Sequence, residues 1–144
     1  MIRPLAPGDD IAGHVARIYA EHGMAYDPAF EDDLLDPAAT YAHGAFWVWD
    51  EGGIVGTIGV LPHGGCRIIK RLYVAASGRG RGVARGLLGA AFSWGPFRRT
   101  ELWSDVRLSR AHRLYMALGF VAGPTRILED PDRSVERYFS RDDS

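Results

Sequence analysis

Residues 77–85 read Ser77-Gly78-Arg79-Gly80-Arg81-Gly82-Val83-Ala84-Arg85, and few local structures accommodate such a string. It follows a β-rich run, Arg67 to Val74, and opens directly into a helical pattern with Val83, Leu87, Leu88, Ala91 and Phe92 on one face. Glycines permit positive φ and close approach of a ligand to the backbone, so successive N–H groups there can converge on an anion. The charge is wrong for a helix left alone. A helix N-terminus carries about half a positive charge and favours Asp or Glu, yet this one gathers Arg79, Arg81 and Arg85. A bound phosphate or pyrophosphate removes the conflict.

The wider charge pattern points the same way. No acidic residue occurs from Gly52 to Thr100, while Arg67, Lys70, Arg71, Arg79, Arg81, Arg85, Arg98 and Arg99 all fall there, so that segment carries +8. The rest carries −9, and the chain as a whole −1. Such a balance argues against a general nucleic-acid binder, whose domains are strongly basic. At 47% hydrophobic and 24% charged, the chain is neither disordered nor fibrous. Its 144 residues suit one domain spanning 1–144. Cys66 stands alone, which excludes an intrachain disulfide framework and fits a reducing compartment. No apolar run approaches the ~20 residues that span a bilayer, and no apolar leader segment follows Met1. A soluble, cytoplasmic protein with no nucleic-acid or membrane partner is expected.

Pattern and punctuation give an order of elements. A short strand at Ile2 to Leu5 precedes a helix capped by Asp9 or Asp10, with Ile11, Val15, Ile18 and Tyr19 on one face and Gly23 as its stop. An acidic helical stretch is expected from Ala29 to Leu35. Phe46 to Trp49, Ile54 to Val60 and Arg67 to Val74 are strands joined by short glycine-containing turns, an antiparallel meander. After the Val83 helix come a strand at Glu101 to Val106, a helix at Ala111 to Leu118 closed by Gly119, and strands at Val121 to Leu128 and Val135 to Ser140. The fold class is α/β, a mixed, mostly antiparallel sheet flanked by helices.

Three other uses of a glycine-arginine turn fit less well. A flexible Arg-Gly segment for single-stranded RNA would not run straight into an apolar helical pattern. A phosphate-binding P-loop ends in Gly-Lys-Ser/Thr, absent here. A dinucleotide fingerprint finds an acid in Asp105 at a suitable distance, but Arg85 stands where its third Gly or Ala belongs, and the strands before it form a meander.

Arg79-x-x-Gly82-x-Ala84 resembles the Gln/Arg-x-x-Gly-x-Gly/Ala signature of the GNAT family of N-acetyltransferases. Downstream, Ala111-His112-Arg113-Leu114-Tyr115-Met116-Ala117-Leu118-Gly119-Phe120 is similar to that family's helix ending in Tyr, Gly and Phe. The two motifs stand in the right order and at the right separation, and the likeness covers nearly the whole chain. It implies acetyl-coenzyme A as donor cosubstrate, no metal, and an amine-bearing acceptor, either a small molecule or a protein amine. Under that likeness Arg79, Gly80, Arg81, Gly82, Val83, Ala84 and Arg85 hold the pyrophosphate. Backbone groups of Tyr73 and Val74 pair with the pantetheine arm, and an N–H near Leu72 polarises the thioester carbonyl. Tyr115 becomes the general acid that protonates the departing thiolate, since a phenol of pKa ~10 keeps its proton at neutral pH. For the base, Asp105, Glu101 and water remain open. Leu108 stands where many relatives carry a coenzyme-binding Asn, and Ser109 beside it is the candidate replacement. The resemblance also leans towards a homodimer through the last strands. A different class keeps the fold without the chemistry: a non-catalytic acyl-coenzyme A-binding sensor.

Other signals carry less. The five histidines show no ligand spacing, so no metal site is expected, and His112 reads as solvent-facing. Cys66 reads as a packed, inert thiol, and Trp47, Trp49, Trp94 and Trp103 as core or sheet-face residues. Glu31, Asp32, Asp33 and Asp36 read as a solvated acidic face or an attraction for a cationic acceptor.

Overall fold

The structure, a computed structural model, describes residues 1–144. Seven strands form one sheet: β1 (Ile2–Pro4), β2 (Ala45–Asp50), β3 (Ile54–His63), β4 (Cys66–Val74), β5 (Arg99–Asp105), β6 (Val121–Ile127) and β7 (Val135–Asp142), in the spatial order β1-β2-β3-β4-β5-β7-β6. Every neighbouring pair is antiparallel except β4 and β5. The helices are α1 (Ile11–Glu21), α2 (Pro37–Thr40), α3 (Val83–Phe92) and α4 (Ser109–Ala117). The fold class and the meander match the sequence reading.

Alternation along β2 divides the core. Phe46 and Val48 pack with Ile11, Val15 and Tyr19 of α1 on one face, while Trp47 and Trp49 join Val83, Leu87, Leu88 and Ala91 of α3 on the other. Gly56 lets α3 come close, because a Cβ there would lie 2.8 Å from Val83 Cγ1 and 2.9 Å from Leu87 Cδ1. Asp10 caps α1 by accepting from the Gly13 N–H at 2.9 Å, whereas Asp9 pairs with Arg3.

The expected acidic helix from Ala29 to Leu35 does not form. Only a 3₁₀ turn spans Asp32–Leu34, and α2 begins at Pro37 behind an Asp36 cap. Two side chains of that stretch are recruited elsewhere: Glu31 and Asp33 both bind Arg71 on β4. The segment follows a tertiary ion cluster in place of its own helical spacing.

The site is set by how β4 leaves β5. Their parallel pairing covers only Arg67↔Thr100 and Ile68↔Glu101, after which the strands part. On its other side β4 slips register against β3 between Thr57 and Gly59. The bulge centres on Arg71, a non-glycine residue at φ 57°, whose carbonyl accepts from the buried Thr57 hydroxyl at 2.8 Å. Bulges bend a strand and end its pairing. Here the bend opens a gap at Leu72 to Val74.

Candidate active site

A cleft of about 370 Å³ lies on one side of that gap, lined from β4 by Leu72, Tyr73 and Val74 and from the glycine-arginine turn by Gly78, Arg79, Gly80, Gly82, Val83, Ala84 and Arg85. Gly82 sits at φ +80° and Gly80 at φ +75°, conformations that L side chains rarely adopt, and nothing lies within 4 Å of a Cβ added at Gly82. Gly82 has no capping side chain to offer α3. The first N–H groups of the helix, at Val83, Ala84 and Arg85, therefore find no acceptor, and these residues line an arginine-flanked space. The residues present fit a polyphosphate.

The arginines divide their labour differently from the sequence expectation. Arg79 lines the cleft, but its Nε donates to the Val74 carbonyl at 3.1 Å and its Nη2 pairs with Glu21 of α1. Arg81 turns out of the cleft: its guanidinium forks onto Glu51 of the β2–β3 turn, with Nη2 at 2.7 Å from the carboxylate. Arg85 lines the cleft without an ion-pair partner. Sequence reasoning missed Arg110, which lines the opposite wall and also lacks a carboxylate partner. Its Nη2 lies 3.7 Å from a Cβ placed on Gly80. Arg110 had only its place one residue after Ser109 as a signal. Ser109 itself is exposed and outside the cleft, because it starts α4 on the solvent side.

The remaining basic residues of the acid-free stretch serve other ends. Arg67 is 2% exposed and donates to Thr100, Asp143 and the carbonyls of Trp94, Gly95 and Phe97. Arg99 pairs with Glu101. Of the eight, Arg79 and Arg85 alone line the cleft.

A second, smaller cavity of about 70 Å³ lies across the gap, lined in part by Glu31, Asp105, Tyr115 and Ser134. Leu72, Tyr73 and Leu108 line both cavities, so the two meet at the bend of β4. Tyr115 is 3% exposed, with its ring 5.6 Å from that of Phe120 and 5.4 Å from that of Phe139. Burial raises its phenol above the ordinary tyrosine range, and the nearby Tyr73 adds to the effect. Tyr115 therefore keeps its proton well into alkaline solution.

Asp105 is buried in the same cavity, but both oxygens are occupied. Oδ1 accepts from the backbone N–H and Nε of Arg107, each at 2.9 Å, and Oδ2 accepts from Nη2 at 2.8 Å. Glu101 lies at the other end of β5, opposite Ile68, and reaches neither cavity. The structure thus brings Tyr115 and Asp105 together and leaves Glu101 out.

Other groups gave little sequence signal. His14 is buried on α1 and places Nε2 3.1 Å from the Tyr73 carbonyl; a carbonyl only accepts, so Nε2 carries the hydrogen. Burial lowers its pKa, which keeps the ring neutral. Arg71 donates to Asp33 through Nε at 3.0 Å, to Glu31 and to the Tyr19 hydroxyl. The Tyr19 hydroxyl in turn lies 3.2 Å from that of Tyr73. His112 is not solvent-facing as expected: its ring packs edge-on against Phe139 at 4.8 Å, and Nε2 is buried without a partner. Cys66 is half-buried, its thiol 3.6 Å from Glu101.

A mostly antiparallel sheet that splays at one parallel junction, with an anion-ready helix start on one side and a second cavity on the other, defines the class of acyl-coenzyme A N-acyltransferase folds. Residues 42–122, more than half of the chain, match the family model of the acetyltransferase (GNAT) domain. The chain belongs to the GNAT acetyltransferase family. Among curated proteins, N-acetyltransferase family 8 member 2 of Rattus norvegicus is 33% identical over 100 residues, covering 63% of this chain and 43% of the relative. The chain spans about half the length of the curated relatives it matches. Among solved structures, a GNAT-family acetyltransferase from Staphylococcus aureus superposes with a TM-score of 0.85 at 18% identity, over 100% of this chain and 99% of that one. A chain of the NatC complex bound to Gag peptide and coenzyme A matches with a TM-score of 0.69 at 17% identity, over 99% and 97% of the two chains. No helix is long and apolar enough to cross a membrane.

Proposed function

We propose that this chain transfers the acetyl group of acetyl-coenzyme A directly to an amine. One observation carries the reading: the glycine-arginine cleft and the carboxylate-lined cavity meet at Leu72, Tyr73 and Leu108, where the β4 edge has no partner strand. A thioester bound along β4 would present its carbonyl at that junction. The free N–H groups of Val83, Ala84 and Arg85, with the side chains of Arg85 and Arg110, hold the pyrophosphate. Arg79 joins them when it leaves Glu21. Backbone groups of Tyr73 and Val74 align the pantetheine arm, and an N–H near Leu72 stabilises the charge that develops on the carbonyl oxygen.

The amine attacks from the second cavity, and collapse of the tetrahedral intermediate expels a thiolate. Tyr115 gives its proton to the thiolate and is restored by the proton that the nitrogen loses as the amide forms. An alkylammonium of pKa ~10.4 must first lose a proton. Water in the cavity carries that proton away, and Asp105 is its acceptor when the pair with Arg107 opens. The reading takes residues 1–144 as one acetyltransferase domain acting in the cytoplasm, with a homodimer through β6 and β7 as its expected assembly.

The occupied oxygens of Asp105 favour a second reading, a coenzyme-binding module without turnover. Free thiol release from acetyl-coenzyme A in the presence of a broad amine panel, with the acetylated product identified by mass, separates the two. Turnover establishes the transferase. Saturable coenzyme binding with no product on any amine would establish the binding module.

A further inference from the structure

The acceptor cavity is closed along one side by two segments far apart in sequence. Met24 and Ala25, from the loop after α1, line it, and so do Leu128, Asp130 and Ser134, from the loop between β6 and β7. These loops are tied together. Asp132 Oδ2 accepts from the backbone N–H of Ala25 at 2.8 Å, a contact that spans 107 residues. The same oxygen lies 3.5 Å from Arg107 Nη1. Arg107 in turn holds Asp105 inside the cavity and donates to the Ser134 hydroxyl at 2.8 Å, which itself bonds Asp130. One guanidinium thus connects an interior carboxylate to a strap made by Asp132 and Ala25.

We propose that Asp132 is a specificity-determining residue, whose bond to Ala25 holds the acceptor pocket to the size of a small primary amine. The inference rests on the transferase reading above and names its substrate class. Three observations carry it. The cavity is small, about 70 Å³, enough for an amine head and a short carbon chain. Of its four carboxylates, Glu31, Asp105 and Glu136 are already paired with Arg71, Arg107 and Arg126, and Asp130 is bonded to Ser134, so they frame a pocket and leave a basic peptide no continuous acidic rim to follow. A polypeptide also brings backbone and further side chains behind its amine, and the joined loops occupy one wall of the space that these would need. Because Asp132 is partly exposed, with 30% of its side chain accessible, the strap is a contact that one substitution can release without opening the core.

The test compares acetylation of simple alkylamines and diamines with that of tripeptides carrying a free N-terminus or a lysine. The wild-type protein is expected to favour the small amines by at least tenfold in kcat/KM. Asp132→Ala should shrink that ratio at least fivefold with little change in thermal midpoint, whereas Asp132→Asn, which retains an acceptor oxygen for the Ala25 N–H, should keep it. A wild-type protein that acetylates tripeptides as well as small amines, or an Asp132→Ala variant with an unchanged ratio, overturns the proposal. If no amine of either kind is acetylated, the transferase reading fails. Amide exchange at Ala25 then decides the strap: faster exchange in Asp132→Ala but not in Asp132→Asn supports it, and equal exchange in all three proteins rejects it.

Discussion

The backbone N–H of Phe120 donates to the carbonyl of Tyr115 at 3.0 Å, and the two rings meet with centroids 5.6 Å apart. Gly119 between them sits at φ +93° and donates to the Met116 carbonyl at 3.2 Å. These paired bonds, with an apolar contact bridging them, are a Schellman closure of α4. The Tyr-x-x-x-Gly-Phe pattern therefore has a structural cause independent of chemistry: the glycine reverses the chain and the phenylalanine pins the tyrosine ring. Only the phenolic oxygen is left to account for. Tyr115→Phe should keep the closure and the thermal midpoint within about 2 °C, bind coenzyme A normally, and lose at least tenfold in kcat. Because burial raises the phenol, kcat of the wild type should show no alkaline fall near pH ~10, where an ordinary tyrosine ionises. A Tyr73→Phe variant with the larger loss would move the acid to Tyr73, the one hydroxyl residue lining both cavities.

Arg71 and Asp33 form the clearest pH-dependent contact. Burial by itself would raise the Asp33 carboxyl, but the hydrogen bond and charge of Arg71 outweigh it and hold the group below its usual range. A depressed carboxylate stabilises the fold fully above its ordinary value of ~4 and loses that contribution as pH falls through the lower folded value. Acid titration followed by near-ultraviolet dichroism should show the wild type losing stability below pH ~4. Arg71→Met, which leaves Glu31 and Asp33 facing each other without a cation, should cost about 3 kcal/mol at pH 7. Its penalty should shrink on acidification, as the two carboxylates become protonated and no longer need the arginine.

The succession of elements along the chain, the meander and the two motif-bearing helices were legible because each is local: alternation marks strands, and glycines mark turns and helix ends. The distribution of ion pairs was not. A run of eight basic residues without an acid looked like one anion site, yet Arg67 and Arg71 are drawn into buried clusters by partners 76 and 38 residues away, Asp143 and Asp33. The left-handed backbone of Arg71 carries no sequence signature either, since such a residue is usually glycine or asparagine. Asp105 was legible as a strand-end acid, but its occupation by Arg107 depends on a turn whose geometry the residue types alone do not specify. Arg110 was invisible for a different reason: it faces the cleft from a helix whose rotation about its axis is set by packing against β6 and β7.

Arg85 and Arg110 flank the cleft without carboxylate partners, so their charge is uncompensated until an anion binds. Arg85→Glu and Arg110→Glu should each weaken coenzyme A binding at least tenfold by calorimetry, with a binding constant less sensitive to added salt than that of the wild type. Arg79→Glu should also weaken binding while the fold survives. Its effect includes repulsion from Glu21, its present partner, so Glu21→Gln should by itself tighten coenzyme binding by freeing Arg79. Unchanged affinity in Arg85→Glu and Arg110→Glu would remove both residues from the pyrophosphate site.

Arg67 holds the point from which β4 and β5 diverge. Its guanidinium is buried beside the last ladder pair, donating to the Thr100 hydroxyl at 2.9 Å, to Asp143 at 3.0 Å and to the Trp94 carbonyl at 3.0 Å. These partners come from β5, from the chain beyond β7 and from the segment after α3, so one side chain closes the base of the gap against three elements. Removing it strands Thr100, Asp143 and several carbonyls away from water. Arg67→Met should cost about 3–5 kcal/mol in urea unfolding and shift the midpoint without a change in slope. Arg67→Lys should recover only part of the loss, because an ammonium cannot reproduce the planar fork that meets Asp143 and the carbonyls together. Coenzyme affinity should fall less than stability in both variants, since Arg67 lies at the opposite end of β4 from Val74 and lines neither cavity. A parallel loss of affinity and stability would mean that the base of the gap and the cleft are one cooperative unit.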